Sequence, residues 1–145
     1  KSTKSNNAEV LAALGSVLKE NGEYEKAKEK TLKAITMKDD ARFYFNLATI
    51  FRDQGDMASA KTQYQSALSL NKNFPEAYNN LGEISRDEGK SEEAADLFKK
   101  ALLTDSSFGK ARYNLGILYQ EKGRFLEAAE SFSQSLATRL LIQSA

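Results

Sequence analysis

The chain has 145 residues, of which 21 are basic and 20 acidic, and it contains no Cys and no His. These absences exclude disulfides, thiolate nucleophiles, Cys-ligated zinc, His-dependent triads and His-containing zinc-hydrolase motifs. A net charge of +1 gives no electrostatic footprint for nucleic acid or an anionic membrane. No apolar run approaches the ~18 residues that a membrane-spanning helix needs. We therefore expect no metal, no cofactor, no nucleic-acid partner and no membrane insertion.

Apolar residues recur at steps of three and four along most of the chain, which predicts helices rather than strands. In chain order, we predict helices at 8–21, 24–37, 41–54, 57–70, 75–88, 91–103, 109–122 and 125–142. Residues 1–7 are polar and are predicted to form a disordered tail, and residues 143–145 a second tail. Each helix is too short to be stable alone, so neighbouring helices have to hold it.

Four copies of one pattern account for these helices. The segments LGSVLKENG, LATIFRDQG, LGEISRDEG and LGILYQEKG begin at Leu14, Leu47, Leu81 and Leu115. Their closing residues, Gly22, Gly55, Gly89 and Gly123, are spaced by 33, 34 and 34 positions. We expect each of these glycines to end the first helix of a pair in the left-handed conformation, which costs glycine least.

The repeat also predicts the core, column by column. We expect the leucines that begin the four segments to form one buried stack. Small residues in the first helices allow close approach of the second helices, whose larger residues fill the space opposite. The small residues are Gly15, Ala48, Gly82 and Gly116, and the facing residues are Thr31, Tyr64, Phe98 and Phe132.

The pattern resembles that of the tetratricopeptide repeat family, through Tyr78, Leu81 and Gly82 in a first helix and the Ala94–Phe98–Ala101 spacing in the second. The resemblance implies an all-α, right-handed superhelical solenoid of four helix-turn-helix repeats, a single domain over residues 8–142. The implied repeats are 8–40, 41–74, 75–108 and 109–142. The sequence departs from the family pattern at Ser85 and Arg112, where aromatic residues are usual, and no repeat has the usual late Pro.

The candidate binding residues lie on the first helices, which in this family line a concave groove. Asn46, Asn80 and Asn114 share one column. An Asn amide offers both a donor and an acceptor, so a ladder of three is suited to gripping the backbone of an extended peptide. The alternative is that each Asn bonds locally.

Further candidates surround this ladder. They comprise apolar residues that offer contact area and polar or cationic residues that give specificity, since aromatic and Arg side chains are common interface hot spots. The apolar set is Phe45, Tyr113 and Ile117, and the polar set is Arg52, Asn79, Arg86 and Lys110. The alternative for Phe45 and Tyr113 is packing against neighbouring helices.

We find no catalytic motif, and acidic pairs such as Glu92–Glu93 are interpreted as solvated helix ends. The sequence therefore predicts a non-catalytic scaffold that binds a protein or peptide partner in its groove. One alternative is a self-assembling unit, forming a homo-oligomer through the apolar C-terminal edge at Leu136, Leu140, Leu141 and Ile142. A cut from a longer array would also explain that edge and is the favoured explanation. Another alternative is a recruiting arm of a larger enzyme. The compartment is unknown, with the cytoplasm weakly favoured.

Overall fold

The computed structural model describes residues 3–144 of the chain, with backbone only at residues 142 and 144, and these residues form eight α-helices. No strand occurs within this range. The helices are α1 (Thr3–Glu20), α2 (Tyr24–Met37), α3 (Ala41–Asp53), α4 (Met57–Leu70), α5 (Pro75–Asp87), α6 (Ser91–Thr104), α7 (Gly109–Glu121) and α8 (Phe125–Ser144). The predicted all-α class and the eight predicted helices are confirmed.

The predicted disordered tail at residues 1–7 is wrong where the structure describes it. Helix α1 begins at Thr3, so residues 3–7 are helical, and α8 continues through Ser144. Residues 1, 2 and 145 lie outside the described residues. In α1, Ala8 is fully buried in a cluster with Ala34 and Phe43. A helix anchored there gains one hydrogen bond for each residue by which it extends, which outweighs the polar composition of residues 3–7.

Consecutive helices pack as four hairpins, α1/α2, α3/α4, α5/α6 and α7/α8. The glycine between the helices of each hairpin has a positive φ, as predicted, with values from 75° to 87°. At the third turn, the Gly89 amide donates to the Arg86 carbonyl at 2.9 Å and the Lys90 amide to the Ser85 carbonyl at 2.8 Å. This pair of bonds is the Schellman arrangement, which satisfies carbonyls that the end of the helix would otherwise leave without donors.

The chain divides into two compact units, residues 1–72 (unit 1) and residues 73–145 (unit 2). Each unit contains two hairpins. The division lies two positions from the repeat boundary predicted at 74/75. That the four repeats form one domain stays a prediction.

Small residues face large ones across the hairpins, as the sequence predicts. A Cβ atom placed on Gly82 would lie 2.5 Å from Cε1 of Phe98, and one on Gly116 would lie 2.5 Å from Cε1 of Phe132. In the first hairpin, Thr31 is fully buried opposite Gly15 and donates to the Ala27 carbonyl at 2.8 Å. A side chain at these glycine positions would therefore force the facing residue to shift.

The predicted stack of four buried leucines is wrong at its first member. Leu47, Leu81 and Leu115 are buried, whereas Leu14 is exposed. In unit 2, Leu115 on α7 packs in one cluster with residues of α6, the second helix of the preceding hairpin. No described helix precedes α1, so nothing within residues 3–144 supplies the equivalent surface for Leu14.

The two departures from the family pattern have local polar partners. Ser85 is buried, and its hydroxyl donates to Glu93 Oε2 at 2.6 Å. The Arg112 guanidinium donates to Gln134 Oε1 at 2.7 Å and to the Ser106 carbonyl at 3.1 Å. Hydrogen bonds therefore replace ring packing at both positions in unit 2.

Asp40 is the N-cap residue of α3 and supports a pH-dependent prediction. Its carboxylate accepts from the Arg42 amide at 2.9 Å and pairs with the Arg42 guanidinium at 2.6 Å. The hydrogen bond from the Arg42 side chain holds the pKa of the Asp40 carboxyl below its usual range. A lowered pKa in the folded state means that the stabilisation is complete at neutral pH and declines as the pH falls through the folded pKa.

We expect Asp40→Ala to lower the free energy of unfolding by about 0.5–2 kcal/mol at pH 7, the usual effect of losing a helix cap. The difference from wild type should shrink as the pH falls below about 4, the ordinary range of Asp. Urea unfolding at several pH values measures both effects. Asp96→Ala, at an exposed position on α6, is the matched control. If the difference in unfolding free energy between wild type and Asp40→Ala persists unchanged at pH 2–3, the stabilising role assigned to the ionised Asp40 carboxylate is contradicted.

Candidate interaction surfaces

In unit 2, the first helices α5 and α7 contact each other through a polar cluster. The Asn114 amide nitrogen donates to Asn79 Oδ1 at 2.9 Å and to Glu83 Oε2 at 3.2 Å. Asn114 is only 4% exposed and Asn79 is fully buried. The cluster joins the two helices where the sequence predicts ligand-facing side chains.

This burial limits which of the predicted Asn side chains are accessible to a ligand. Asn79, predicted to contact a partner, is not accessible to one, so that prediction is wrong. Asn114 already uses its amide nitrogen within unit 2, so a bidentate grip on a peptide would require those hydrogen bonds to break. Asn80 and, in unit 1, Asn46 are partly exposed. Their contact with a ligand stays a prediction.

Phe45 in unit 1 packs within its own hairpin. Its ring meets the buried Tyr64 ring edge-on, with 5.5 Å between centroids. The Tyr64 hydroxyl lies 3.4 Å from the Thr49 hydroxyl. Phe45 and Arg52 are both partly exposed. Of the two interpretations of Phe45, packing against a neighbouring helix is the one that this geometry shows.

Tyr113 in unit 2 is more accessible, with 52% of its surface exposed. Its ring packs at a tilt on Phe132, with 5.6 Å between centroids, so the exposed ring is held in place from one side. Lys110, one turn earlier on α7, is exposed, and Ile117, one turn later, is partly exposed. These three predicted residues follow one face of α7, because positions three and four apart share a side of a helix.

A pocket of about 500 Å³ opens beside Tyr113 and Lys110, between the start of α7 and the last turns of α8. Two cationic side chains, Lys110 and Arg139, line it together with hydroxyl groups. Its lining residues are Ser107, Gly109, Lys110, Tyr113, Ser135, Thr138, Arg139 and Gln143. Arg139 was not among the residues predicted to contact a partner. Its only signal in the sequence is its position near the end of the fourth repeat, in the last turns of α8.

Arg86, on α5, is partly exposed, and its Nε atom lies 3.8 Å from Asp87 Oδ1. Its Nη1 atom is buried and has no hydrogen-bond partner among the described residues. The same is true of the Nδ2 atom of Asn79. These two nitrogen atoms are not accessible to a partner, and contact of the rest of the Arg86 side chain with a ligand stays a prediction.

The acidic pair Glu92–Glu93 has local partners. Glu92 pairs with Lys122, whose hydrogen bond lowers the pKa of the Glu92 carboxyl, while Glu93 accepts from Ser85. A general acid at neutral pH requires a raised carboxyl pKa, which is the opposite shift. Residues 3–144 contain no cluster of three or more potential metal ligands. None of the helices in that range is long and apolar enough to cross a bilayer.

Comparison with known proteins agrees with the repeat architecture. The family model of the tetratricopeptide repeat matches residues 12–68, 45–109 and 86–140, overlapping stretches that together span most of the chain. No curated protein sequence matches significantly.

Several solved structures share the fold. The crystal structure of MamA is 25% identical, with a TM-score of 0.85 over 97% of this chain and 82% of MamA. The pilF protein of Pseudomonas aeruginosa is 23% identical, with a TM-score of 0.85 over 94% of this chain and 63% of its own. BtubC from P. vanneervenii is 20% identical, with a TM-score of 0.84 over all of this chain and 68% of its own. The family model matches well over half of the chain, and the chain therefore belongs to the tetratricopeptide repeat family.

Proposed function

We propose that the protein is a non-catalytic scaffold that binds an extended segment or a helix of a partner protein against its first helices. The observation that carries this proposal is the exposed ring of Tyr113, held against Phe132 beside a pocket with two cationic side chains. A rigid, half-exposed aromatic ring offers a large contact area at little entropic cost, and such rings are frequent hot spots.

The surroundings of Tyr113 fit a protein ligand better than a polyanion. Lys110 and Arg139 supply positive charge at the pocket, while Ile117 and the ring itself supply apolar surface. The partly exposed amides of Asn80 in unit 2 and Asn46 in unit 1 are suited to bonding with the peptide groups of a ligand. Mixed apolar and charged contacts of this kind are usual at the edge of protein interfaces.

Selection of a displayed random-peptide library on the whole chain tests this proposal. We expect Tyr113→Ala to weaken the binding of the selected peptides by about 2 kcal/mol or more, roughly 30-fold, as measured by calorimetry. Leu103→Ala, at an 87% exposed position on α6, is the matched control and should leave affinity unchanged. Circular dichroism checks that both variants are folded. Peptides that bind wild type and Tyr113→Ala equally well would refute the assigned surface.

A further inference from the structure

One face of α1 is apolar and exposed, although the same face is buried in every later first helix. Val10, Leu14 and Val17 are 67%, 41% and 62% exposed, and their spacing of four and three places them on one side of the helix. The equivalent residues in α3, α5 and α7 are at most 5% exposed. Those residues are Phe43, Leu47 and Ile50, then Ala77, Leu81 and Ile84, then Ala111, Leu115 and Leu118.

Contacts within each unit show what buries this face. In unit 2, Ala111, Leu115 and Leu118 of α7 form one cluster with α6, against which Ala95 and Leu102 also pack. In unit 1, Ile35 of α2 packs in the same cluster as Phe43 of α3. Within each unit, the first helix of the second hairpin is therefore covered by the second helix of the hairpin before it.

Helix α8 carries the complementary surface. One repeat after Ala95 and Leu102 come Ala129 and Leu136, at the same positions of the second helix. Both are exposed, Leu136 by 56%. The chain therefore presents both halves of its own hairpin-to-hairpin contact, one on α1 and the other on α8.

The charges at one position of the first helices also support a contact between the α1 face and the α8 face. The equivalent positions 9, 42, 76 and 110 hold Glu, Arg, Glu and Lys, so the sign alternates from one first helix to the next. In unit 1 this alternation makes an ion pair, with Arg42 Nη2 3.4 Å from Glu9 Oε1. Continuation of the series after Lys110 calls for an acidic residue, and a second copy supplies Glu9. Arg139, across the pocket from α7, adds to the attraction.

The neighbouring positions are compatible with this pairing. Asn114 on α7 bonds Asn79 and Glu83 on α5. One repeat later, the positions of Asn79 and Glu83 hold Tyr113 and Ile117, and the position of Asn114 in a docked α1 is Ala13. At the docked α7–α1 contact, apolar side chains would thus take the place that the polar cluster has between α5 and α7.

We propose that the α1 face of one copy docks on the α8 face of a second copy, with Glu9 entering the pocket beside Lys110. The proposal rests on the proposed function, because it uses the same Tyr113 surface and names a helix of a second copy as the occupant. The two faces differ, so the contact is heterologous and adds copies end to end instead of closing a symmetric dimer.

Mixing two variants that are each blocked at one face provides the test. Val10→Glu blocks the α1 face and Leu136→Glu blocks the α8 face, both at exposed positions where folding should be unaffected. In sedimentation velocity at micromolar to millimolar concentrations, wild type should form a series of species that grows with concentration. Each variant alone should associate at least tenfold more weakly. Their equimolar mixture should form a dimer and nothing larger, because only one pair of intact faces remains.

Two further variants complete the design. Lys110→Glu should also weaken association at least tenfold, whereas Leu103→Glu, at an exposed position outside both faces, should associate as wild type does. A wild type that stays monomeric at millimolar concentration overturns the proposal, as does self-association of Val10→Glu into a dimer, which would indicate an α8-to-α8 contact. If the chain is monomeric but binds peptides through Tyr113, this inference fails while the proposed function stands.

Discussion

Phe98→Ala is expected to lower the free energy of unfolding by about 3–5 kcal/mol, the usual cost of truncating a buried Phe. Phe98 is fully buried at the centre of unit 2, in one cluster with Ala94, Ala101, Leu115 and Leu118. The two alanines are small, and the two leucines belong to another helix, so few side-chain atoms can move in to fill the cavity. The loss should therefore lie towards the upper part of the range.

Urea unfolding followed by circular dichroism measures this loss. Leu103→Ala, five positions further along α6 and 87% exposed, is the control and should change stability by less than about 0.5 kcal/mol. A loss below about 1 kcal/mol for Phe98→Ala would show that the ring does not fill the interior of unit 2 as described.

The second large effect is expected at Gly82. A methyl group there would lie 2.5 Å from Phe98 Cε1, closer than any carbon contact allows, so α5, α6 or the ring has to shift. Because the ring is enclosed on all sides, we expect Gly82→Ala to lower stability by about 1–3 kcal/mol, as overpacking usually does. The better helix propensity of Ala, about 1 kcal/mol, offsets only part of the clash.

A matched glycine and a double variant make this test specific. A methyl group on Gly109 would have its nearest neighbour, Ser135 Oγ, at 3.7 Å, so Gly109→Ala should leave stability unchanged or raise it. In a Phe98→Ala background the clashing ring is absent, and Gly82→Ala should then cost less than about 0.5 kcal/mol. Purely additive losses in the double variant would show that the two residues do not compete for the same space.

The two docking proposals assign different roles to the two ends of the repeat series. Tyr113 and Lys110 on α7 offer an aromatic ring and positive charge, and α1 offers an apolar stripe with Glu9 beside it. Complementary charge chiefly governs the rate and specificity of association, whereas apolar contact supplies most of the affinity. Raised salt should therefore lower the association rate of two copies more than it lowers the affinity that the apolar contact supplies.

The site residues were harder to predict than the fold. Asn46, Asn80 and Asn114 share a column in the sequence, yet Asn114 is buried and bonded within unit 2 while Asn80 is partly exposed. The difference arises from side chains on adjacent helices. Asn79 and Glu83 happen to lie within hydrogen-bond reach of Asn114, and periodicity along one helix carries no information about that neighbour.

The sequence alone determined the helical hairpins, their turns and the pairing of small with large residues. These features are local or repeat every 34 positions or so: a glycine with positive φ, an apolar stripe with a period of 3.6 residues, and Gly82 set opposite Phe98. Tertiary structure alone decided which members of a column are accessible. Leu14 and Leu115 are equivalent in sequence, but only Leu115 has the second helix of a preceding hairpin against it. Burial depends on the neighbouring helix, and the periodicity within one repeat carries no information about which helix packs against it.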